Sequence, residues 1–131
     1  MGAFDMLRIA NSSLGMHQTW LDALAHNIAN ANTVTASDQD AFRSQMVVAT
    51  SRPEGGVDVT GIELGDAEGV LVHAPDHPLA DADGMVRTPD MDMTVQMTSL
   101  VQAQRGFQAS VQVTKTAQDT YGAALQIGQG R

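Results

Sequence analysis

Apolar residues recur every seven positions at the start of the chain: Leu7, Leu14, Leu21 and Ile28. Ala3, Ala10, His17, Leu24 and Ala31 occupy a second heptad position, so the spacing predicts a helix near residues 5–31 with an apolar seam interrupted at His17. Asn30 to Thr35 is poor in helix formers and ends it. A longer periodic run begins at Met93. Met97, Leu100, Gln104, Phe107, Val111, Thr114, Gln118, Tyr121 and Leu125 follow alternating steps of four and three, which predicts a second helix to about Ile127. Asp90 and Asp92 suit its positive N-terminal end, and Gly128 and Gly130 follow it.

The segment between the helices has a different period. Met46–Val48, Val57–Val59 and Val70–Val72 read as short strands, with a turn over Pro53–Gly56. Pro75 to Pro89 holds three prolines and Gly84 and reads as an extended loop. The pattern therefore predicts a mainly α fold with a small β insert. Long N- and C-terminal helices pack antiparallel as a coiled coil, joined by a short antiparallel hairpin or sheet and an extended loop. The expected divisions are 1–35, 36–92 and 93–131.

Charge sharpens this picture. Residues 36–92 carry twelve acids and three bases, net −9, whereas the two flanks together are near neutral. From Met93 to Ile127 the only charged residues are Arg105, Lys115 and Asp119. A helix on the surface of a monomer normally shows a charged outer face. Here that face is small and amide-rich, including Gln102, Ala109, Gln112, Thr116, Thr120 and Ala123, which points to packing against other subunits. The net charge of −8 argues against nucleic acid as a partner. With no cysteine, disulfide and thiolate chemistry are excluded. No stretch has the run of apolar residues that a membrane span needs, and the first ten residues do not read as a secretory leader.

Three stretches carry a resemblance. Asn27-Ile28-Ala29-Asn30-Ala31-Asn32-Thr33 resembles the signature that follows the first helix in flagellar axial proteins of the rod and hook. The run from Asp76, His77 and Pro78 through Asp81, Gly84 and Pro89 to Asp92 resembles the lead into the last helix of a basal-body rod protein. Ala103-Gln104-Arg105-Gly106-Phe107-Gln108-Ala109-Ser110-Val111 resembles that helix's own motif, with departures at Gln96, Phe107 and Ser110. The resemblance implies a structural subunit of the proximal rod, located in the flagellar basal body. It implies export through the flagellar type III apparatus without a cleaved leader. The implied partners are further copies of the chain, other rod proteins and components of the membrane ring and rod base. No cofactor, small-molecule substrate or catalytic residue is implied.

On this basis the packing residues are Leu7, Leu14, Leu21, Leu24 and Ile28 in the first helix. In the second they are Met97, Leu100, Arg105, Phe107, Val111, Tyr121 and Leu125. Asn27, Ala29, Asn30, Asn32 and Thr33 form a turn that ends the first helix. Gly106 leaves room for close approach of a neighbouring group. A reading of another class uses His73, His77, Asp81 and Asp83 as the donors of a small metal-dependent enzyme or binder. Pro75 and Pro78 keep that stretch from forming the helix that would put both imidazoles on one face.

Overall fold

The computed structural model describes residues 2–130. Two long helices dominate it: α1 over Ala3–Asn30 and α2 over Met93–Gln129. Between them lie β1 (Thr35–Ala36), β2 (Gln45–Ser51), β3 (Val57–Leu64), β4 (Val70–His73) and β5 (Met85–Thr88). The fold is thus mainly α with a small β insert.

Four contacts fix the direction of the helix pair. Phe4 meets Tyr121 edge to face, with ring centroids 5.1 Å apart. Ser13 and Ser110 share a hydroxyl hydrogen bond of 2.8 Å. His17 lies over Gly106, and the Asn27 amide reaches Gln96 at 3.0 Å. As numbers rise along α1 they fall along α2, so the helices run antiparallel. The last turns of α2, beyond Tyr121, extend past the Phe4 end of α1.

The seam differs from the one that the large apolar residues predict. In α2 the buried positions are Ala103, Ser110 and Ala117, one residue before Gln104, Val111 and Gln118. One residue turns the helix by about 100°. Val111, 45% exposed, therefore faces outward, as do Met97, Arg105 and Leu125, while Leu100, Phe107 and Tyr121 are half-buried. In α1 the facing residues include Ala10, Ser13, His17, Leu24 and Asn27; Leu7, Leu14, Leu21 and Ile28 are half-buried. The physical reason is size. A heptad of Ala and Ser lets two helices approach closely, and the bulkier side chains on the adjacent rows are turned away from the axis of contact.

The strands form two small antiparallel sheets. β2 pairs with β3 from Gln45↔Leu64 to Ser51↔Val57, with an irregularity at Val48/Ala49. The second sheet has the order β1-β5-β4. Its central strand, β5, falls inside the stretch expected to be an extended loop. Only Val86 there is a large buried apolar residue, and prolines and acids on both sides hide its alternation. Pairing with β4 and β1 makes it a strand.

The β2–β3 pair is held against α1 by polar groups. Arg8 donates to the carbonyls of Glu54 (2.8 Å) and Gly55 (3.2 Å). Ser12 Oγ accepts from the Val57 amide at 3.1 Å. Gly56 has φ 102°, and a Cβ there would lie 2.5 Å from Ser12 Oγ. Glycine is needed at this turn on both counts.

His17 and Gly106 form the tightest point of the helix seam. The His17 Nδ1–H donates to the Ser13 carbonyl at 2.8 Å. A Cβ at Gly106 would fall 2.1 Å from His17 Nε2. Replacing glycine by alanine inside a helix normally stabilises by about 1 kcal/mol. Here the sign reverses: Gly106→Ala lowers the thermal midpoint, and adding His17→Ala recovers part of the loss. Gly122→Ala, with nothing within 4 Å of the new Cβ, raises it. Circular dichroism melts of the four chains check this.

Candidate assembly surface

Asn27, Ala29 and Asn30, expected in a turn, belong to the last helical residues of α1, and the turn follows at Ala31 and Asn32; Asn27 is 1% exposed. Its Oδ1 accepts from the Gln45 amide at 2.7 Å. Its Nδ2 donates to the Gln45 carbonyl at 2.9 Å and to Gln96 Oε1 at 3.0 Å. One side chain thus joins the end of α1, the first residue of β2 and the first turn of α2. The paired donor and acceptor on Gln45 continue the backbone ladder in the manner of a neighbouring strand. Asn30 acts locally: its Nδ2 donates to the His26 carbonyl at 2.9 Å, and its Oδ1 accepts from Thr33 Oγ1 at 3.3 Å. Ala29 and Asn32 are exposed.

Asp81 organises the lead into α2. Its carboxylate accepts from Ser37 Oγ and from the amides of Asp83 (2.9 Å) and Met85 (2.8 Å). The Ser37 hydroxyl, then the Met85 and Asp83 amides, hold its pKa below the ordinary aspartate value of 3.8. Gly84 has φ 73°, and its missing Cβ leaves space beside Pro75 and the His73 ring. His77 Nδ1 accepts from the Leu79 amide at 3.1 Å. Pro89 is buried, and Asp92 caps α2 by accepting from the amides of Thr94 (2.8 Å) and Val95 (3.3 Å). Asp76 and Pro78 are exposed.

Of the four residues in the metal reading, His77 and Asp81 each accept from a different set of backbone amides. Among the described residues no three His, Asp or Glu side chains gather in a geometry that could hold a metal ion.

The remaining surface of α2 is uncharged over long stretches. Val95, Met97, Val101, Val111, Val113, Leu125 and Ile127 are all exposed. Amide and hydroxyl residues separate them: Gln102, Gln108, Gln112, Thr116 and Thr120 are also exposed. An apolar groove of about 610 Å³ runs along the helix pair between Met6, Ile9 and Ala10 on one side and Ala109 and Val113 on the other. Sequence periodicity missed the small-residue seam, whose signal is the seven-residue spacing of Ala103, Ser110 and Ala117. It also missed Arg8 and Ser12, whose partners are distant in the chain.

Asn27→Ala leaves the Gln45 amide and carbonyl without partners, at a cost of about 3 kcal/mol. Asn27→Asp keeps the shape but turns a donor into an acceptor facing two oxygens, so it destabilises at least as much. Urea unfolding followed by circular dichroism measures both. For Asp81, the lowered folded pKa means that its stabilisation is present above the unfolded value and is lost as pH falls through the folded one. Amide exchange at Asp83 and Met85 therefore accelerates as pH drops below the ordinary aspartate range, after correction for intrinsic exchange. Asp81→Asn removes most of that pH dependence.

Residues 82–127 match the family described as flagellar basal body rod FlgEFG protein C-terminal. The flagellar basal-body rod protein FlgC of Salmonella typhimurium is 34% identical over 98% of this chain and 100% of its own length. FlgC of Yersinia enterocolitica is 37% identical with the same coverage. FlgC of Bacillus subtilis is 28% identical over 98% of this chain and 100% of its own. The chain belongs to the FlgC family of flagellar basal-body rod proteins.

Proposed function

We propose that this chain builds the proximal rod by lateral packing of its two helices, and that it has no catalytic step. Membership of the FlgC family makes it a structural subunit of the flagellar basal body. The observation that supports packing as the means is the outer face of α2. It is long, almost free of charge and set with exposed valines, where a solvated helix would carry ionic residues.

On this reading, 1–35 and 93–131 are the rod-forming helices and 36–92 is a solvent-facing insert. The helix pair continues into neighbouring subunits as a coiled-coil-like array. Met97, Arg105, Val111 and Leu125 serve contacts between chains, and the Asn27–Thr33 segment at the end of α1 fixes the angle at which the insert leaves the array. Partners are other copies, other rod proteins and the components of the membrane ring and rod base. Delivery is by the flagellar type III apparatus, without cleavage. Against the metal-dependent alternative built on His73, His77, Asp81 and Asp83, the His77 Nδ1 and the Asp81 carboxylate are already taken up by backbone amides.

The test places a charge on the outer face. Val111→Asp and Gln112→Asp keep the melting temperature within about 4 °C of the parent, because surface changes cost little. Both abolish rod assembly, read as loss of hooks in purified basal bodies and of motility. Normal rods and swimming in both variants would refute packing through this face.

A further inference from the structure

The insert carries an unguarded strand edge. β4 pairs with β5 and, among the described residues, has no strand on its other side. Among those residues its backbone also does not come close to that of either helix or of the β2–β3 pair. Its four residues are all exposed, and Val70, Leu71 and Val72 are each more than 40% exposed. Apolar side chains therefore stand open on both faces of the strand.

The ladder phase shows which amides are free. The Ala74 amide donates to the Gly84 carbonyl at 2.8 Å, and Val72 and Val70 stand opposite Val86 and Thr88. Bonded and non-bonded pairs alternate in an antiparallel ladder. Val70 and Val72 thus turn their backbone groups to β5, and Leu71 and His73 turn theirs outward. Native sheets blunt such edges with bulges, inward charges, lysine or proline. The β2–β3 pair has an irregularity at Val48/Ala49 and carries Asp58 and Glu63. β4 has none of these devices, and its only protection is its short length.

Charge selects the partner. The three bases of the insert are all used internally. Arg43 donates to the Gly65 carbonyl at 2.8 Å. Arg52 pairs with Asp58, and Arg87 donates to the carbonyls of Ser37 and Glu68. Glu68 and Asp76, which flank β4 in the chain, are exposed, as is Asp66. A second copy meeting this edge would bring another net −9 insert against the first, which disfavours pairing of β4 with itself.

We propose that the outer edge of β4, through the backbone of Leu71 and His73, docks an extended basic segment of another protein as an added strand. Main-chain hydrogen bonds supply the pairing, alternate apolar side chains cover Val70 and Val72 on one face, and basic residues meet the acids around β4. This stands whether or not the chain works through its helices, and the isolated full-length chain tests it.

The probe is a labelled, end-blocked peptide alternating lysine and valine, with glutamate replacing lysine in the control, and binding is read by fluorescence anisotropy at low salt. The lysine peptide binds saturably and weakly, and the glutamate peptide does not. Leu71→Pro removes one outward donor and spares the bonds to β5, so it weakens binding by about tenfold or more. Leu71→Thr keeps the amide and retains binding. Retained hydrogen-exchange protection of the Val70 and Val72 amides shows that β4 still pairs with β5 in each variant. Should Leu71→Pro not fold, Glu68→Lys combined with Asp76→Lys still tests the charge component by weakening the lysine peptide severalfold. Absence of saturable binding, equal binding of the two peptides, or undiminished binding by folded Leu71→Pro would each overturn the proposal. So would dimerisation of the chain through this edge.

Discussion

Asn27 is where the three parts of the molecule meet. Its amide completes the backbone of Gln45 and holds Gln96 in the first turn of α2. The pairing of β2 with β3 starts at this residue, Gln45. That pair is then anchored at its far end by Arg8 and Ser12 of the same helix. α1 thus carries the hairpin along its length between two polar fixing points about four to five turns apart. A buried amide meets this demand better than a hydrophobic residue, because the groups to be satisfied are backbone donors and acceptors.

The core that this arrangement encloses is thin. Its buried apolar residues among those described are Ala10, Ala23, Leu24, Ala41, Val86, Ala103 and Ala117. Alanine contributes little apolar area, so close contact and polar fixing do much of what large side chains do elsewhere. Most of the bulkier Val, Leu and Met residues of α2 stand at the surface. That distribution is unusual for a self-sufficient domain and natural for a unit whose second layer of packing comes from its neighbours.

The helices, their order and the low charge of their outer faces were legible in the sequence because each depends on local composition and period. The helix seam was harder to read. Counting large apolar residues favours the row of Val111, whereas the closest approach selects the smaller row of Ser110 one position away. The three-way role of Asn27 depends on Gln45 and Gln96, which no local pattern connects. β5 was hidden for a related reason: its single buried valine becomes a strand residue only through partners distant in the chain. At the lead into α2, Asp81, Asp83 and Gly84 stand out in the sequence, where the residue types alone also admit a metal reading. The hydrogen bonds to Ser37, Asp83 and Met85 give the Asp81 carboxylate a structural use.

The His17 ring seated over Gly106 has a mechanical meaning. A slip of α1 along α2 by one helical turn would carry the ring toward Ala103 or Ser110, where a Cβ occupies the space that glycine leaves open. Axial shear is therefore opposed by a steric key rather than by attraction between charges. Such a key is not screened by counterions, so the resistance of the pair to sliding should be nearly independent of ionic strength. A shaft made of these pairs would keep its rigidity in dilute and concentrated surroundings alike.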